Sequence, residues 1–339
     1  MVEPASSKSP KYPDHTKLLE WRDDKDQSHV VRTASDWAHR RPHIILGMEE
    51  AMGELPKERC PLDIRVHATT ETDRYTRYKI DYQPEPGDRV PAYLLVPKNV
   101  KGKAPGMMCL HQTVQIGKDE PAALGGSDNL HYADELARRG YVCLVPDYPS
   151  LGEYKYDFAK SPHPSGSIKG ILNHIRGVDL LIGHSSVDPA RIGSIGHSLG
   201  GHNTMFLGAF DERVKVMVSC CGFTAACRYY GGNIDGWTGP RYMPRLKGKK
   251  CNEVPFDFHE IVASFAPRAF LAVAPIDDAN FDNQGVHEVM DAAREVFKLL
   301  GADESLQARY PNAKHDFPPA DRQAAYEFID KHLSHRQPE

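Results

Sequence analysis

Six consecutive residues, Gly196-His197-Ser198-Leu199-Gly200-Gly201, carry the densest chemical signal in the chain. A Gly-x-Ser-x-Gly run is common by itself, so its flanks decide what it means. Here it follows a strand-like run (RIGSIG) and opens a helix-like one (GHNTMFLGAF). That context is a nucleophile elbow, a turn tight enough to require glycine on both sides of the serine. A serine hydroxyl of ordinary pKa is a poor nucleophile, so Ser198 needs a base, and the base needs an acid to orient it. In the chain order that accompanies such an elbow, the acid follows the serine and the histidine comes last. Asp277 and Asp278 both stand at the end of the apolar run RAFLAVAPI. His315 stands in YPNAKHDFPP, ahead of a closing helix. At this point either aspartate fits.

These residues need a scaffold, and the pattern of the chain supplies one. Short apolar runs (APGMMCL, YVCLVPD, RIGSIG, VKVMVSCC, RAFLAVAP, LQARYP) alternate with helical segments. One of these segments puts Ile168, Ile171, Leu172, Ile175, Val178 and Ile182 on a single face. Continuously apolar strands alternating with helices predict a mostly parallel sheet covered on both faces. Ahead of it, Arg74–Tyr82 and Arg89–Val96 read as a hairpin about the turn residues EPGD. A helix is expected from Ser35, its N-cap candidate, to a stop at Gly53 to Pro56, with Pro42 imposing a kink or a division into two short helices. The first thirty residues read as a mobile arm or a surface wrap. The predicted organisation is residues 1–84 as arm, helices and first hairpin strand, and residues 85–335 as the core. Within that core, the Gly-, Tyr- and Arg-rich stretch 223–255 breaks the alternation and is expected to be a cap-like insertion over the site.

Composition removes whole classes of function. Basic residues number 42 and acidic residues 46, a net charge of −4, without the basic excess of a nucleic-acid binder. No apolar run reaches the roughly 18 residues of a membrane span. The amino terminus has no apolar signal region, so a cytoplasmic protein is expected. Seven cysteines without regular spacing are not a disulfide framework. Cys109, Cys143, Cys220 and Cys221 lie in apolar runs, and the expectation is reduced, buried thiols, with a Cys227–Cys251 bridge as the alternative. No His-x-x-x-His or Cys-x-x-Cys occurs in a ligand frame, so neither a metal site nor a cofactor is expected. Nothing in the composition bears on oligomeric state.

The segments PAYLLVP, CLHQT, ELARRGYVCLVPDYPSLGEY, DPARIGSIGHSLGG, APRAFLAVAPIDDANF and KHDFPP together resemble the α/β-hydrolase superfamily. Within it they resemble the dienelactone-hydrolase-like and acetyl-xylan-esterase-like branch, and the elbow and the His-Asp-Phe segment are the specific parts. The resemblance implies an α/β-hydrolase fold with an N-terminal helical extension, and Ser198, Asp278 and His315 as a triad. The family sets its acid at the end of a Gly-x-x-Asp turn. Pro275 replaces that glycine, and counting from it selects Asp278, with Asp277 as rival. The family's His-Gly-x oxyanion segment appears as His111-Gln112-Thr113. The amides of Leu199 and Thr113 are therefore the expected oxyanion donors, with Gln112 second to Thr113, and His111 a support for the loop.

Tyr148, Glu153 and Tyr154 are candidates for the pocket rim, and Trp237, Arg241 and Tyr242 are candidates for holding a sugar or aromatic moiety. The expected activity is hydrolysis of short-chain, acetyl-type esters of carbohydrates or small molecules. A dienelactone-type lactonase is the nearest alternative, although such enzymes often use cysteine where this chain has Ser198. A small serine peptidase and a non-catalytic binding protein are more distant. The roughly 85 residues ahead of the core are too few for the propeller of a prolyl oligopeptidase, and no member of the triad is missing.

Overall fold

Strands whose side chains are apolar on both faces must be covered on both faces, and the architecture follows from that requirement. The computed structural model describes residues 10–98 and 100–336. A short antiparallel pair, β1 (Glu20–Arg22) and β2 (Ser28–Val30), precedes helix α1 (Ala34–Met52). Three strands then form an antiparallel edge: β3 (Arg65–Glu71), β4 (Tyr75–Tyr82) and β5 (Val90–Pro97). The parallel part is β6 (Ala104–Leu110), β7 (Val142–Pro146), β8 (Val187–His197), β9 (Val214–Cys220), β10 (Ala269–Val273) and β11 (Leu306–Arg309). All nine belong to one sheet of order β11-β10-β9-β8-β6-β7-β5-β4-β3. Helices α2 (Tyr132–Arg138), α3 (Gly166–Gly183), α4 (Leu199–Phe210), α5 (Phe258–Phe265), α6 (Asn283–Leu299) and α7 (Pro319–His332) fill the connections.

Alternation along each strand sorts the core into two layers. Cys109, Cys143, Ile195, Val216, Val218 and Leu271 pack with α2 and α7. Met108, Leu144, Ile192, Met217 and Phe270 pack on the opposite face with α3, α4, α5 and α6. The α6 stripe of Val286, Val289, Met290, Ala293, Val296 and Phe297 is buried throughout.

Several expectations are corrected. Thr33, not Ser35, caps α1, because its hydroxyl accepts from the Asp36 amide while Asp36 reaches back to the Thr33 amide. Pro42 does not divide this helix. Its 19 residues are continuous, held by burial of Trp37, Arg40, Ile44 and Met48 on either side of the missing N–H. Strands β4 and β5 pair from Tyr75↔Pro97 to Tyr82↔Val90, so residues 84 and 85 lie in the turn of the expected hairpin. From residue 10 onward the arm is docked: Leu18 is buried, the Arg40 guanidinium lies 3.5 Å from the Tyr12 ring centroid, and His15 reaches Glu260 at 2.8 Å. Residues 1–9 lie outside the described residues. Strand β3 and helix α5 were not anticipated. The α5 segment FHEIVASF sets Phe258, Ile261, Val262 and Phe265 at helical spacing, but it is only eight residues long and is buried along its whole length. Among the described residues no helix is long and apolar enough to cross a membrane.

Candidate active site

Ser198 sits between the end of β8 and the start of α4 with φ 52° and ψ −117°. Serine adopts this left-handed region only where its surroundings over-determine it. A Cβ at Gly196 would lie 2.2 Å from the Gly200 carbonyl carbon, and one at Gly200 would lie 1.8 Å from the Leu110 carbonyl oxygen. The elbow is thus wedged against the end of β6, and both glycines are required. The Ser198 amide donates to the Cys220 carbonyl at 2.9 Å, tying the turn to the end of β9 as well. Leu199 is the first residue of α4, so its N–H has no intrahelical acceptor and lies at the positive end of the helix.

His315 precedes α7, and its Nδ1 lies 2.9 Å from both carboxylate oxygens of Asp278. The Asp278 side chain is 1% exposed and also accepts from the amides of Asn280 and Phe281 at 2.8 and 3.3 Å. Asp277 is exposed and uses its amide on the Ala313 carbonyl. The structure therefore brings Asp278, not its neighbour, to the histidine. Burial disfavours charge on Asp278, but the hydrogen bonds from His315 and the two amides outweigh it and hold the carboxyl below its ordinary range. Burial likewise opposes an imidazolium at position 315. The Asp278 hydrogen bond, aided by the nearby Cys221 sulfur, overcomes this and raises His315 to about 9.

Ser198 and His315 line one cavity of about 350 Å³, together with Gln112, Thr113 and Leu199 from the two predicted oxyanion segments. His111 supports that loop as expected: its Nδ1–H donates to the Gln112 carbonyl at 2.6 Å and its Nε2 accepts from the Tyr148 amide at 2.9 Å. Both nitrogens are occupied, and burial keeps the ring's pKa below the ordinary imidazole value. Gln112 is anchored in turn by Glu120 at 2.9 Å. Farther along the loop, the buried Lys118 ammonium bonds Asp147 at 2.9 Å and Glu153 at 2.8 Å, fastening it to the segment after β7.

The stretch 223–255 folds as four short 3₁₀ turns beside the cavity, closed by a disulfide between Cys227 and Cys251. The expectation of reduced thiols fails for this pair and holds for the other five cysteines. The chain's return from the insertion brings the two sulfurs together, which no local spacing announces. Trp237 stacks on Tyr229 at 4.2 Å and 17°, and both line the cavity with Tyr230 and Tyr242. Tyr242 Oη stands 3.4 Å from Thr113 Oγ1.

Four of the pocket candidates do not line this cavity. Arg241 does not face the cavity but donates to Ser150 Oγ at 3.0 and 3.1 Å, because the chain turns between 241 and 242. Tyr148 is buried against Leu151 and Leu199 and donates its hydroxyl to the Arg241 carbonyl at 2.8 Å, a support beneath the wall. Glu153 and Tyr154 are spent similarly, on Lys118 and on Asp88. Sequence reasoning missed Tyr229, Tyr230, Asn280 and Phe281. The last two lie two and three residues after Asp278, and the tyrosines lie in the run RYYGGNIDGW, which aromatic density alone flags.

Comparison with known proteins gives the same fold. The model of the prolyl oligopeptidase family matches residues 129–336, and that of an abhydrolase family matches residues 15–164. A protein of Bacillus subtilis strain 168 named as a hydrolase, YtaP, is 24% identical over 308 residues, 87% of this chain and 99% of that protein. The 4-O-methyl-glucuronoyl methylesterase of Podospora anserina is 23% identical over 169 residues, 43% of this chain and 35% of that protein. Among solved structures, a glucuronoyl esterase from Solibacter usitatus superposes with a TM-score of 0.76 at 19% identity, covering 97% of this chain and 100% of that one.

Proposed function

The chain belongs to the prolyl oligopeptidase family, and from that premise we propose that it is a serine carboxylic-ester hydrolase acting on esters of carbohydrates. The single observation that carries the reaction is His315, held by Asp278 and lining the same cavity as the strained Ser198. With Nδ1–H donated to Asp278, the imidazole lone pair is on Nε2. Ser198 Oγ attacks the ester carbonyl carbon as its proton passes to Nε2, and the carbonyl oxygen gathers charge in front of the amides of Leu199 and Thr113. The tetrahedral adduct collapses, His315 returns the proton to the leaving alcohol, and a water repeats the sequence on the acyl-enzyme.

The aromatic wall of Tyr229, Tyr230, Trp237 and Tyr242 supports a ring-shaped substrate, since such side chains stack on a sugar face and hydrogen-bond at its edge. The names of the relatives, which include carbohydrate and glucuronoyl esterases, support the same class. The deciding experiment compares nitrophenyl esters from acetyl to octanoyl, acetylated xylan, the methyl ester of 4-O-methylglucuronate, a dienelactone and a prolyl-peptide anilide. Acetylated xylan places the sugar on the alcohol side of the ester and the glucuronate ester places it on the acyl side, so the pair also assigns the orientation. Turnover of the anilide with no ester cleaved would overturn the reading.

A further inference from the structure

Beneath the proposed triad lies a second arrangement that ester hydrolysis does not use. His197, the residue before the serine, is 1% exposed, and neither of its ring nitrogens has a hydrogen-bond partner. Its ring centroid lies 4.7 Å from that of His315, edge to face. Cys221, one residue beyond β9 and 2% exposed, completes the group. One ligand atom from each of His197, Cys221 and His315 lies within 4.8 Å of the others, the one such cluster among the described residues. A buried polar ring normally finds a partner, so an unpartnered imidazole at such a depth marks a place built for something else or left open to it.

We propose that His197, Cys221 and His315 form a binding site for a zinc-class divalent cation, whose occupancy shuts off the enzyme reversibly. Two imidazoles and a thiolate are a donor set that suits zinc and not magnesium or calcium, which prefer oxygen. Zn–N bonds of about 2.0 Å and a Zn–S bond of about 2.3 Å place ligand atoms roughly 3.3–3.7 Å apart, so the three side chains close by about 1 Å around the ion. The thiol proton of Cys221 leaves to solvent as the Zn–S bond forms, the usual consequence of thiol ligation. His197 enters as the neutral ring, because burial and the neighbouring His315 hold its pKa down at about 3. His315 contributes the Nε2 lone pair, since Asp278 occupies Nδ1, and where the ring is charged its Nε2 proton leaves to solvent together with that of the thiol. That is the lone pair Ser198 needs, so metal and catalysis exclude one another. Entry runs through the cavity that His315 lines.

The metal arm of the test does not depend on the ester reading. Ser198→Ala protein keeps all three ligands, and equilibrium dialysis with zinc should show one equivalent bound whether or not the wild type cleaves esters. In that background Cys221→Ser and His197→Gln should each weaken zinc binding tenfold or more. Magnesium should not compete. With the unmodified chain, zinc should inhibit hydrolysis of nitrophenyl acetate and a chelator should restore it. Cobalt(II) bound to the same unmodified chain should show thiolate-to-cobalt charge-transfer absorption, a readout that survives even if a variant does not fold. Absence of that band, or zinc affinity within threefold of the parent in both variants, would place the ion on exposed surface histidines and overturn the proposal.

Discussion

Ser198 holds its backbone in a region that only a serine squeezed by its neighbours adopts, and that strain presents the hydroxyl at the cavity. Ser198→Ala should cut ester hydrolysis by roughly 10³-fold or more without loss of fold, measured as kcat/KM alongside circular dichroism. Retention of a tenth of the activity would end the nucleophile assignment. Asp278 acts through His315 by fixing its tautomer and stabilising its protonated form. Asp278→Asn should therefore cost on the order of 10³–10⁴-fold in kcat, while Asp277→Asn, on an exposed side chain, should change little. The pH profile separates these effects further. The base works only as neutral imidazole, so activity rises as pH climbs through the His315 pKa, held at about 9 chiefly by the Asp278 bond. In Asp278→Asn that acid limb should move down toward the ordinary value of 6.5. An unshifted limb would mean that another group titrates.

The insertion 223–255 works as a wall because both its ends are tied near the site, one following β9 and the other leading into α5 and β10. Its disulfide closes a 24-residue separation, and Trp237 is clamped between Tyr229, Phe258 and His202. An indole held this way offers an edge to the cavity at little entropic cost. Trp237→Ala should lower kcat/KM for a bulky sugar ester by roughly tenfold, about 1.4 kcal/mol of transition-state binding, and leave nitrophenyl acetate nearly unchanged. Equal losses on both substrates would assign the tryptophan to packing alone.

Across the molecule, the N-terminal arm, α1 and α5 are joined by one buried ion pair. Arg40 bonds Glu260, with the two side chains 0% and 2% exposed, and His15 approaches Glu260 from the arm. Removing one partner of such a pair strands a charge in the interior, so Arg40→Ala should destabilise the fold by about 3–5 kcal/mol, read from chemical denaturation. Replacing Arg40 and Glu260 together by Met and Leu should recover much of that loss. If the single variant loses under 1 kcal/mol, the arm is decoration. Helix α5 also carries the chain from the insertion to β10, so the same lesion should loosen the aromatic wall, seen as faster hydrogen exchange in residues 223–255.

What a contiguous stretch can encode was legible from the start. The elbow needs glycine, serine and glycine at adjacent positions, and the run Gly196–Gly201 contains them. The parallel sheet needs apolar strands between helices, and His315 stands in the loop before the last helix. Where the structure added or altered something, two distant segments had to meet before the matter was decided. Asp277 and Asp278 are chemically identical neighbours, and only the turn after β10, pinned by Asp277 N–H to the Ala313 carbonyl, determines which carboxylate faces the histidine. Tyr242 reaches the cavity of Ser198 while its neighbour Arg241 is drawn to Ser150, so composition could not separate them. Cys227 and Cys251 pair because the insertion doubles back on itself. His197 ends β8, Cys221 follows β9 and His315 follows β11, and their meeting is a property of strand order: β8 and β9 are neighbours, and the segment bearing His315 leaves β11 and crosses their ends.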